Sequence, residues 1–177
     1  MKKPVLIVCM GVSSCGKSTV GQAIAAELGL TFFEADEFHS PENQQRMASG
    51  LPLTDAMRAP WIADICKALR SESSQGRHVV LACSALRRAH RLQLRENGFT
   101  SHFLFLDGSR ELISGWIRDR KNHFMPPDLL DSQFAALESP LGEDDVTRIP
   151  LDRSWDAINS ECLALARADL EAATQTP

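Results

Sequence analysis

The stretch VLIVCM-GVSSCGKS, residues 5–18, decides the fold of this chain. Its first six residues are an unbroken apolar run of strand length, and the next eight contain two glycines four residues apart, followed by lysine and serine. Residues 19–28 continue with helical periodicity, so strand, loop and helix follow in the order of a phosphate-binding loop. Such a loop turns successive backbone N–H groups inward at the positive end of a helix, where phosphate oxygens bind. The chain is therefore predicted to bind a nucleoside triphosphate.

Individual loop residues have predicted parts. Lys17 is placed to neutralise the β- and γ-phosphates of ATP, and the Ser18 hydroxyl is placed to ligate a bridging Mg²⁺ ion. Cys15 lies at a helix N-terminus, which favours the thiolate, so it is either a reactive cysteine or only a small residue that the loop tolerates. The residues of this segment predicted to contact the nucleotide are Gly11, Ser13, Ser14, Cys15, Gly16, Lys17, Ser18 and Thr19.

The composition is that of one globular domain spanning residues 1–177, with 44% hydrophobic and 24% charged residues. The net charge is −4, and basic residues are scattered except near 87–95 and 118–121, which argues against a nucleic-acid surface. No apolar run approaches the roughly eighteen residues of a membrane span, and no cleavable leader is recognised. Five cysteines without metal-binding spacing indicate reduced thiols and a cytoplasmic protein.

The remainder of the chain alternates between predicted strands and helices. Further strands are predicted at residues 31–33, 78–83, 101–106 and 146–149. Helices are predicted at residues 41–50, 55–69, 86–95, 111–121, 126–137 and 155–170, with a polar connection at 70–77. This alternation indicates an α/β fold of three layers, in which helices cover both faces of a five-stranded parallel sheet.

Two carboxylates follow the strand predicted at residues 31–33. Glu34 and Asp36 are two residues apart and are expected on the same side, at the sheet edge where α/β proteins bind ligands. They could orient metal-bound water or accept a proton from a hydroxyl group. The strand predicted at 78–83 is followed by Ser84 rather than aspartate, and the Asn-Lys-x-Asp pattern of GTPases is absent. These features favour a small-molecule kinase.

Several longer segments carry a family resemblance: EADEFH at 34–39, MASGLPLTD at 47–55, CSALRR at 83–88 and RKNHF at 120–124. Together with the phosphate loop they resemble the gluconokinase family, from residue 5 to about residue 140. The resemblance implies a P-loop kinase fold with a mobile lid at about 118–138 and a homodimer. It also implies transfer of the ATP γ-phosphoryl group, with Mg²⁺, to the 6-hydroxyl of D-gluconate.

The resemblance further implies roles for individual residues. Asp36 would orient or deprotonate the acceptor hydroxyl, while Arg120, with Arg118, would reach over the transferring phosphoryl group. The residues implied to line the sugar-acid site are Asp36, His39, Arg58, Trp61, Ser84 and Arg88. Some have plainer interpretations: Trp61 as a core residue and Arg118 as a solvated helix end. Arg91 and Arg95 are either a hydrated helix face or ligand contacts.

The chain also departs from the family pattern. Ser14 stands where glycine is usual and Cys15 where serine is usual, Ala56 and Met57 replace an acidic pair, and Asn122 replaces glycine. The Met57 departure leaves open a relative of gluconate as acceptor. The phosphate loop and the Asp36 segment are also compatible with a shikimate-like kinase, and the departures are compatible with a nucleotide-binding regulator that lacks catalysis.

Overall fold

The computed structural model describes residues 2–119 and 127–175 of the chain. Its strands are β1 (Val5–Met10), β2 (Thr31–Glu34), β3 (Val79–Ala82), β4 (Thr100–Asp107) and β5 (Val146–Pro150). All neighbouring strands pair in parallel, in the order β2-β3-β1-β4-β5. The predicted five-stranded parallel sheet is confirmed, and β1 lies at its centre.

The helices that the structure describes flank this sheet. They are α1 (Lys17–Leu28), α2 (Pro41–Ala48), α3 (Asp55–Ser74), α4 (Arg88–Arg95), α5 (Arg110–Asp119), α6 (Pro127–Ala136) and α7 (Trp155–Gln175), with a 3₁₀ turn at Ala35–Phe38. The prediction that residues 70–77 form a polar connection was wrong in its first half, because α3 continues to Ser74. No glycine or proline interrupts the chain from residue 70 until Gly76, whose positive φ of 71° follows the helix end.

Two hydrophobic clusters lie on opposite faces of the sheet. One contains Ile7 of β1 with Ile24 of α1 and Ile158 of α7. The other contains Leu6 of β1 with Ile65 of α3, and the remaining central residues of β1 are likewise buried. Because alternate residues of β1 enter different clusters, both faces of the sheet are covered, as the unbroken apolar run predicts.

The basic helix α4 is held by a buried ion network. Arg91 is fully buried and donates to the Glu143 carboxylate, with an Nη2–Oε1 distance of 2.6 Å. It also donates to the carbonyl oxygens of Ala85 and Leu86, at 3.0 and 3.1 Å. Arg95 binds both Glu143 and Asp145. Neither interpretation offered for Arg91 from the sequence was right, since it contacts neither solvent nor the ligand cavity described below.

The C-terminal helix α7 is fastened to the sheet by His102 of β4. Its Nδ1 lies 2.6 Å from an Asp169 oxygen, and its Nε2 lies 2.8 Å from the Thr147 hydroxyl.

Within the part of the chain that the structure describes, no helix is both long and apolar enough to cross a membrane.

Candidate active site

The loop between β1 and α1 adopts a strained turn. Gly16 has a φ of 96°, and a Cβ added there would overlap the indole ring of Trp155, so this position requires glycine. Ser14 has a φ of 63°, in the left-handed region that favours glycine. Its hydroxyl is buried and makes no hydrogen bond with any residue that the structure describes. The departure from the family at Ser14 thus falls where backbone and hydroxyl are both unfavourably placed.

The cysteines around this loop are shielded from solvent. Cys15 is completely buried, with its Sγ against Gly11. Cys83, directly after β3, is also buried, and burial raises its thiol pKa to about 12. The complete burial of Cys15 favours its interpretation as a small residue that the loop tolerates, because reactive thiols are partly exposed.

The predicted lysine and serine of the loop begin helix α1, and Ser18 lies near Glu34 at the end of β2. The Lys17 Nζ donates to the Val12 carbonyl oxygen at 2.7 Å. The Ser18 hydroxyl lies beside the carboxylate of Glu34 and favours its charged form, but burial outweighs this effect and raises the Glu34 pKa. No cluster of three or more His, Cys, Asp or Glu side chains that could hold a metal ion occurs in residues 2–119 and 127–175. A metal here would therefore depend largely on phosphate and water oxygens, which is usual for Mg²⁺.

A cavity of about 300 Å³ opens beside the loop, at the carboxyl ends of the central strands. Its size falls at the lower end of the roughly 300–1,000 Å³ typical of small-molecule sites. The sequence-predicted residues on its wall are Ser13, Lys17, Asp36, His39, Arg58, Trp61 and Ser84. The cavity therefore brings the phosphate loop, the candidate base and most of the predicted acceptor residues together.

Aromatic stacking builds one wall of this cavity. The rings of His39 and Trp61 are parallel within 10°, with centroids 4.6 Å apart, and the His90 ring meets Trp61 edge to face at 6.0 Å. The Trp61 indole N–H donates to the Ala35 carbonyl oxygen at 2.7 Å. Trp61 is thus both a buried packing residue and a cavity wall, which joins the two interpretations offered from the sequence.

The two histidines of this wall favour the neutral state. Burial lowers the pKa of His39 and of His90. The nearby Arg58 guanidinium lowers both further, and for His39 the Asp36 carboxylate offsets part of the decrease. The Nδ1 atom of His39 is buried and makes no hydrogen bond in the described parts of the chain. A neutral imidazole has one donor and one acceptor nitrogen, which suits it to bind hydroxyl groups.

Two arginines contribute positive charge to the cavity, but only one of them is among the predicted wall residues. Arg58 and Arg87 line the cavity, whereas Arg88 is exposed and does not. The Arg88 backbone N–H instead donates to the Glu138 carboxylate at 2.6 Å, which fixes the start of α4. Arg58 pairs with Asp55 at 3.1 Å. The sequence-based assignment of Arg88 to the wall thus differs from the structure, in which its neighbour Arg87 occupies that position.

Other wall residues were missed from the sequence. His90 and Gln133 line the cavity, as do Met47 of α2 and Ser132 of α6. Gln133 also contacts the phosphate loop, because its Oε1 accepts a hydrogen bond from the Ser13 backbone N–H at 2.6 Å. The sequence signal for Gln133 was its place within the span of the family resemblance, where no role was assigned to it.

A second cavity, of about 420 Å³, lies on the other side of the loop. It is lined by Thr19, Trp116, Asp119, Arg153 and Trp155, and the two indole rings meet edge to face with centroids 5.8 Å apart. Arg118 is exposed and does not line either of these cavities. The predicted clamp residue Arg120, and Asn122, lie outside the described residues.

Comparison with known proteins identifies the family. The AAA domain family matches residues 6–140. A gluconokinase of Gluconobacter oxydans is 40% identical over 94% of this chain and 94% of its own length. A probable gluconokinase of Xenopus tropicalis is 41% identical over 88% of this chain and 90% of its own length. The chain belongs to the gluconokinase family.

A solved structure extends this agreement to three dimensions. The crystal structure of a gluconokinase from Sinorhizobium meliloti 1021 superimposes with a TM-score of 0.87 and 41% identity, covering all of both chains. Membership of the gluconokinase family and the P-loop kinase fold are thereby confirmed as the sequence predicted. A kinase of this family uses ATP with a divalent metal ion.

Proposed function

We propose that this protein transfers the γ-phosphoryl group of ATP to the 6-hydroxyl of D-gluconate and releases 6-phosphogluconate and ADP. The observation that carries the proposal is the cavity of about 300 Å³, in which Ser13 and Lys17 of the phosphate loop face Asp36 and the cations Arg58 and Arg87. Gluconate is a polyol with one carboxylate, so it needs a cationic end, hydroxyl-binding side chains and a route to the phosphate loop. This cavity has all three.

The triphosphate is proposed to run along the loop between the two cavities. Thr19 lines the second cavity and Ser13 lines the acceptor cavity, so the loop connects them. The base would occupy the second cavity against Trp116 and Trp155, whose faces offer stacking area. The terminal phosphoryl group would then lie near Ser13. Lys17, which now donates to Val12, would turn its ammonium group to the phosphates.

The site fits a Mg²⁺ ion through Ser18 and Glu34. The Ser18 hydroxyl would be a direct ligand, and the neighbouring Glu34 carboxylate would hold metal-bound water. When bound, the ion neutralises charge on the phosphate oxygens. The raised pKa of Glu34 reflects burial of its negative charge, which a nearby cation would relieve.

Asp36 is proposed as the group that orients the acceptor hydroxyl and accepts its proton. It lies on the cavity wall just beyond the end of β2, and the phosphate loop lines the same cavity. Arg58 and Arg87 would bind the gluconate carboxylate, and the neutral rings of His39 and His90 would bind hydroxyl groups. These placements leave the 6-hydroxyl, at the far end of the molecule from the carboxylate, directed towards the loop.

The clamp function of Arg120 and Arg118, the lid at about 118–138 and the homodimer are proposals that rest on the family resemblance. A single kinase domain over residues 1–177 is supported by one continuous sheet that has a hydrophobic cluster on each face. A cytoplasmic location is proposed from the five cysteines, all of which are buried thiols. Light scattering of the purified protein would test the dimer.

The Met57 departure gives little support for a different acceptor. Met57 does not line the acceptor cavity, and its carbonyl oxygen accepts a hydrogen bond from Asn43 at 3.1 Å. A coupled assay of ADP release with gluconate, other aldonates and shikimate tests the proposal. We expect gluconate to give the highest kcat/KM. A higher kcat/KM for another aldonate or for shikimate would reassign the acceptor, and no turnover with any of them would favour a regulator.

A further inference from the structure

Gln133 joins helix α6 to the phosphate loop at a point that neither the family resemblance nor the loop motif assigns. Its side-chain oxygen accepts the Ser13 backbone N–H at 2.6 Å, and both residues line the acceptor cavity. Backbone N–H groups of a phosphate loop donate hydrogen bonds to the phosphate oxygens of a bound nucleotide. Gln133 therefore accepts a hydrogen bond from a backbone N–H that would otherwise be available to a bound phosphoryl group.

The position of Ser13 indicates which phosphate is concerned. Ser13 faces the cavity that contains Asp36, whereas Thr19, at the other end of the segment, faces the second cavity. The phosphoryl group that is transferred must lie between the loop and the acceptor hydroxyl. Of the phosphates of ATP, the terminal one is therefore nearest to Ser13 and Gln133, and ADP lacks it.

We propose that Gln133 is a catalytic residue that recognises the terminal phosphoryl group. Without nucleotide, its Oε1 holds the Ser13 N–H. When ATP is bound, a phosphoryl oxygen takes over that N–H, and the Gln133 amide turns so that its Nε2 donates to the same phosphoryl group. The amide remains neutral throughout and exchanges no proton, so its part is to bind and orient. This inference rests on the placement of the triphosphate proposed above.

The surroundings of Gln133 link this contact to the acceptor. Leu129 and Ala136, on the same helix α6, line the acceptor cavity beside Gln133. Just beyond the helix, the Glu138 backbone N–H donates to the Leu86 carbonyl oxygen at 2.9 Å. Helix α6 thus contacts the phosphate loop through Gln133, and the residues that follow it contact the acceptor wall through Glu138, so that Gln133 lies between the proposed positions of the two substrates.

Two variants separate recognition of the terminal phosphoryl group from a structural tie. Gln133→Glu keeps the size and an acceptor for the Ser13 N–H but places a negative charge against the phosphoryl group. We expect it to raise the Kd of Mg²⁺ with the β,γ-imido analogue of ATP by about tenfold or more, and to change the Kd of ADP less than about twofold. Gln133→Met removes donor and acceptor, and we expect kcat to fall by about tenfold or more with ADP binding unchanged.

Gln22, which is exposed on α1, provides the matched control. Gln22→Glu and Gln22→Met should leave both Kd values, kcat and the thermal midpoint unchanged. Equal effects of Gln133→Glu on ADP and on the ATP analogue, or a kcat for Gln133→Met within about twofold of the unsubstituted protein, would overturn the proposal and leave Gln133 as a structural tie. Lys17→Ala tests the underlying placement, because ADP binding that survives it unchanged would refute the phosphate site itself.

A measurement on the unsubstituted protein does not depend on how the variants fold. The ¹⁵N–¹H resonance of Ser13 should shift more on addition of the ATP analogue than on addition of ADP, since only the analogue exchanges the acceptor of this N–H. Equal shifts with both nucleotides would contradict the exchange.

Discussion

Replacement of Arg91 by methionine tests whether a buried ion network supports the acceptor site. Arg91 is fully buried, and its guanidinium binds the Glu143 carboxylate and the carbonyl oxygens of Ala85 and Leu86. Methionine fills a similar volume but leaves a carboxylate that is only 16% exposed and two carbonyl groups without this donor. Loss of one partner of such a pair costs about 3–5 kcal/mol. For a protein of this size, that lowers the thermal midpoint by about 6–20 °C.

The matched control is the exposed pair formed by Arg110 and Asp131. Arg110 also donates through two nitrogens to one carboxylate, but 49% of its side chain and 45% of the Asp131 side chain are exposed. Arg110→Met should leave the thermal midpoint nearly unchanged, because water replaces the lost partner. Thermal unfolding followed by circular dichroism measures both variants. A fall in the midpoint for Arg91→Met no larger than that for Arg110→Met would refute the reasoning that burial makes the difference.

A double substitution separates the cost of the unpaired carboxylate from other effects. Replacing Glu143 by leucine in the Arg91→Met background removes the stranded charge, and Arg95 keeps Asp145 as its partner. We expect the double variant to be more stable than Arg91→Met alone. The single variant should also raise the KM for gluconate more than the KM for ATP, since the freed carbonyl groups belong to the loop that carries the acceptor wall.

Further outcomes follow from other residues. Lys17→Ala should abolish phosphoryl transfer in a coupled assay, through loss of charge neutralisation; turnover near that of the unsubstituted protein would contradict the site. Asp36→Asn should lower kcat far more than ATP affinity, and equal losses would give Asp36 a metal-binding or structural role. Ser14→Gly should raise the free energy of unfolding by about 1 kcal/mol, because glycine accepts the φ of 63° and removes a buried hydroxyl; Ser14→Ala, which keeps the strain, should gain less. Arg91 holds the pKa of Glu143 below its usual 4.5, so stability should be full above about pH 4.5 and should fall as pH drops through the lowered pKa, less steeply in Arg91→Met; identical pH profiles would exclude this linkage.

The sheet could be predicted from the sequence because each strand carries its own local signal. The apolar run at Val5–Met10 is long enough to be buried on both faces, and the glycine-lysine loop that follows fixes the strand-to-helix connection. Once the strands are predicted, the positions of candidate residues just beyond their ends, such as Asp36 and Ser84, are predicted as well. Their placement on one cavity wall follows from parallel pairing alone.

The choice between Arg87 and Arg88 could not be predicted, because it depends on contacts distant in sequence. Ala85 has a φ of 44°, and the Glu138 carboxylate accepts the Arg88 backbone N–H from fifty residues away. Together they set the start of α4 and hence which of the two arginines faces the cavity. Burial of Arg91 likewise depends on Glu143, whose proximity nothing in the local pattern indicates.

The loop after β3 shows why the acceptor wall depends on charged residues. The carbonyl oxygen of Ser84 accepts a hydrogen bond from the Gly11 backbone N–H at 3.3 Å, which ties this loop to the phosphate loop. Arg91 binds the next two carbonyl groups, those of Ala85 and Leu86, so the cavity residue Leu86 is fixed from behind by this guanidinium. An apolar residue in its place could fill the volume but could not donate to these carbonyl groups. Burial of the Arg91 guanidinium costs desolvation free energy but fixes the conformation of this loop. Substitution of Arg91 should therefore affect acceptor binding more than nucleotide binding.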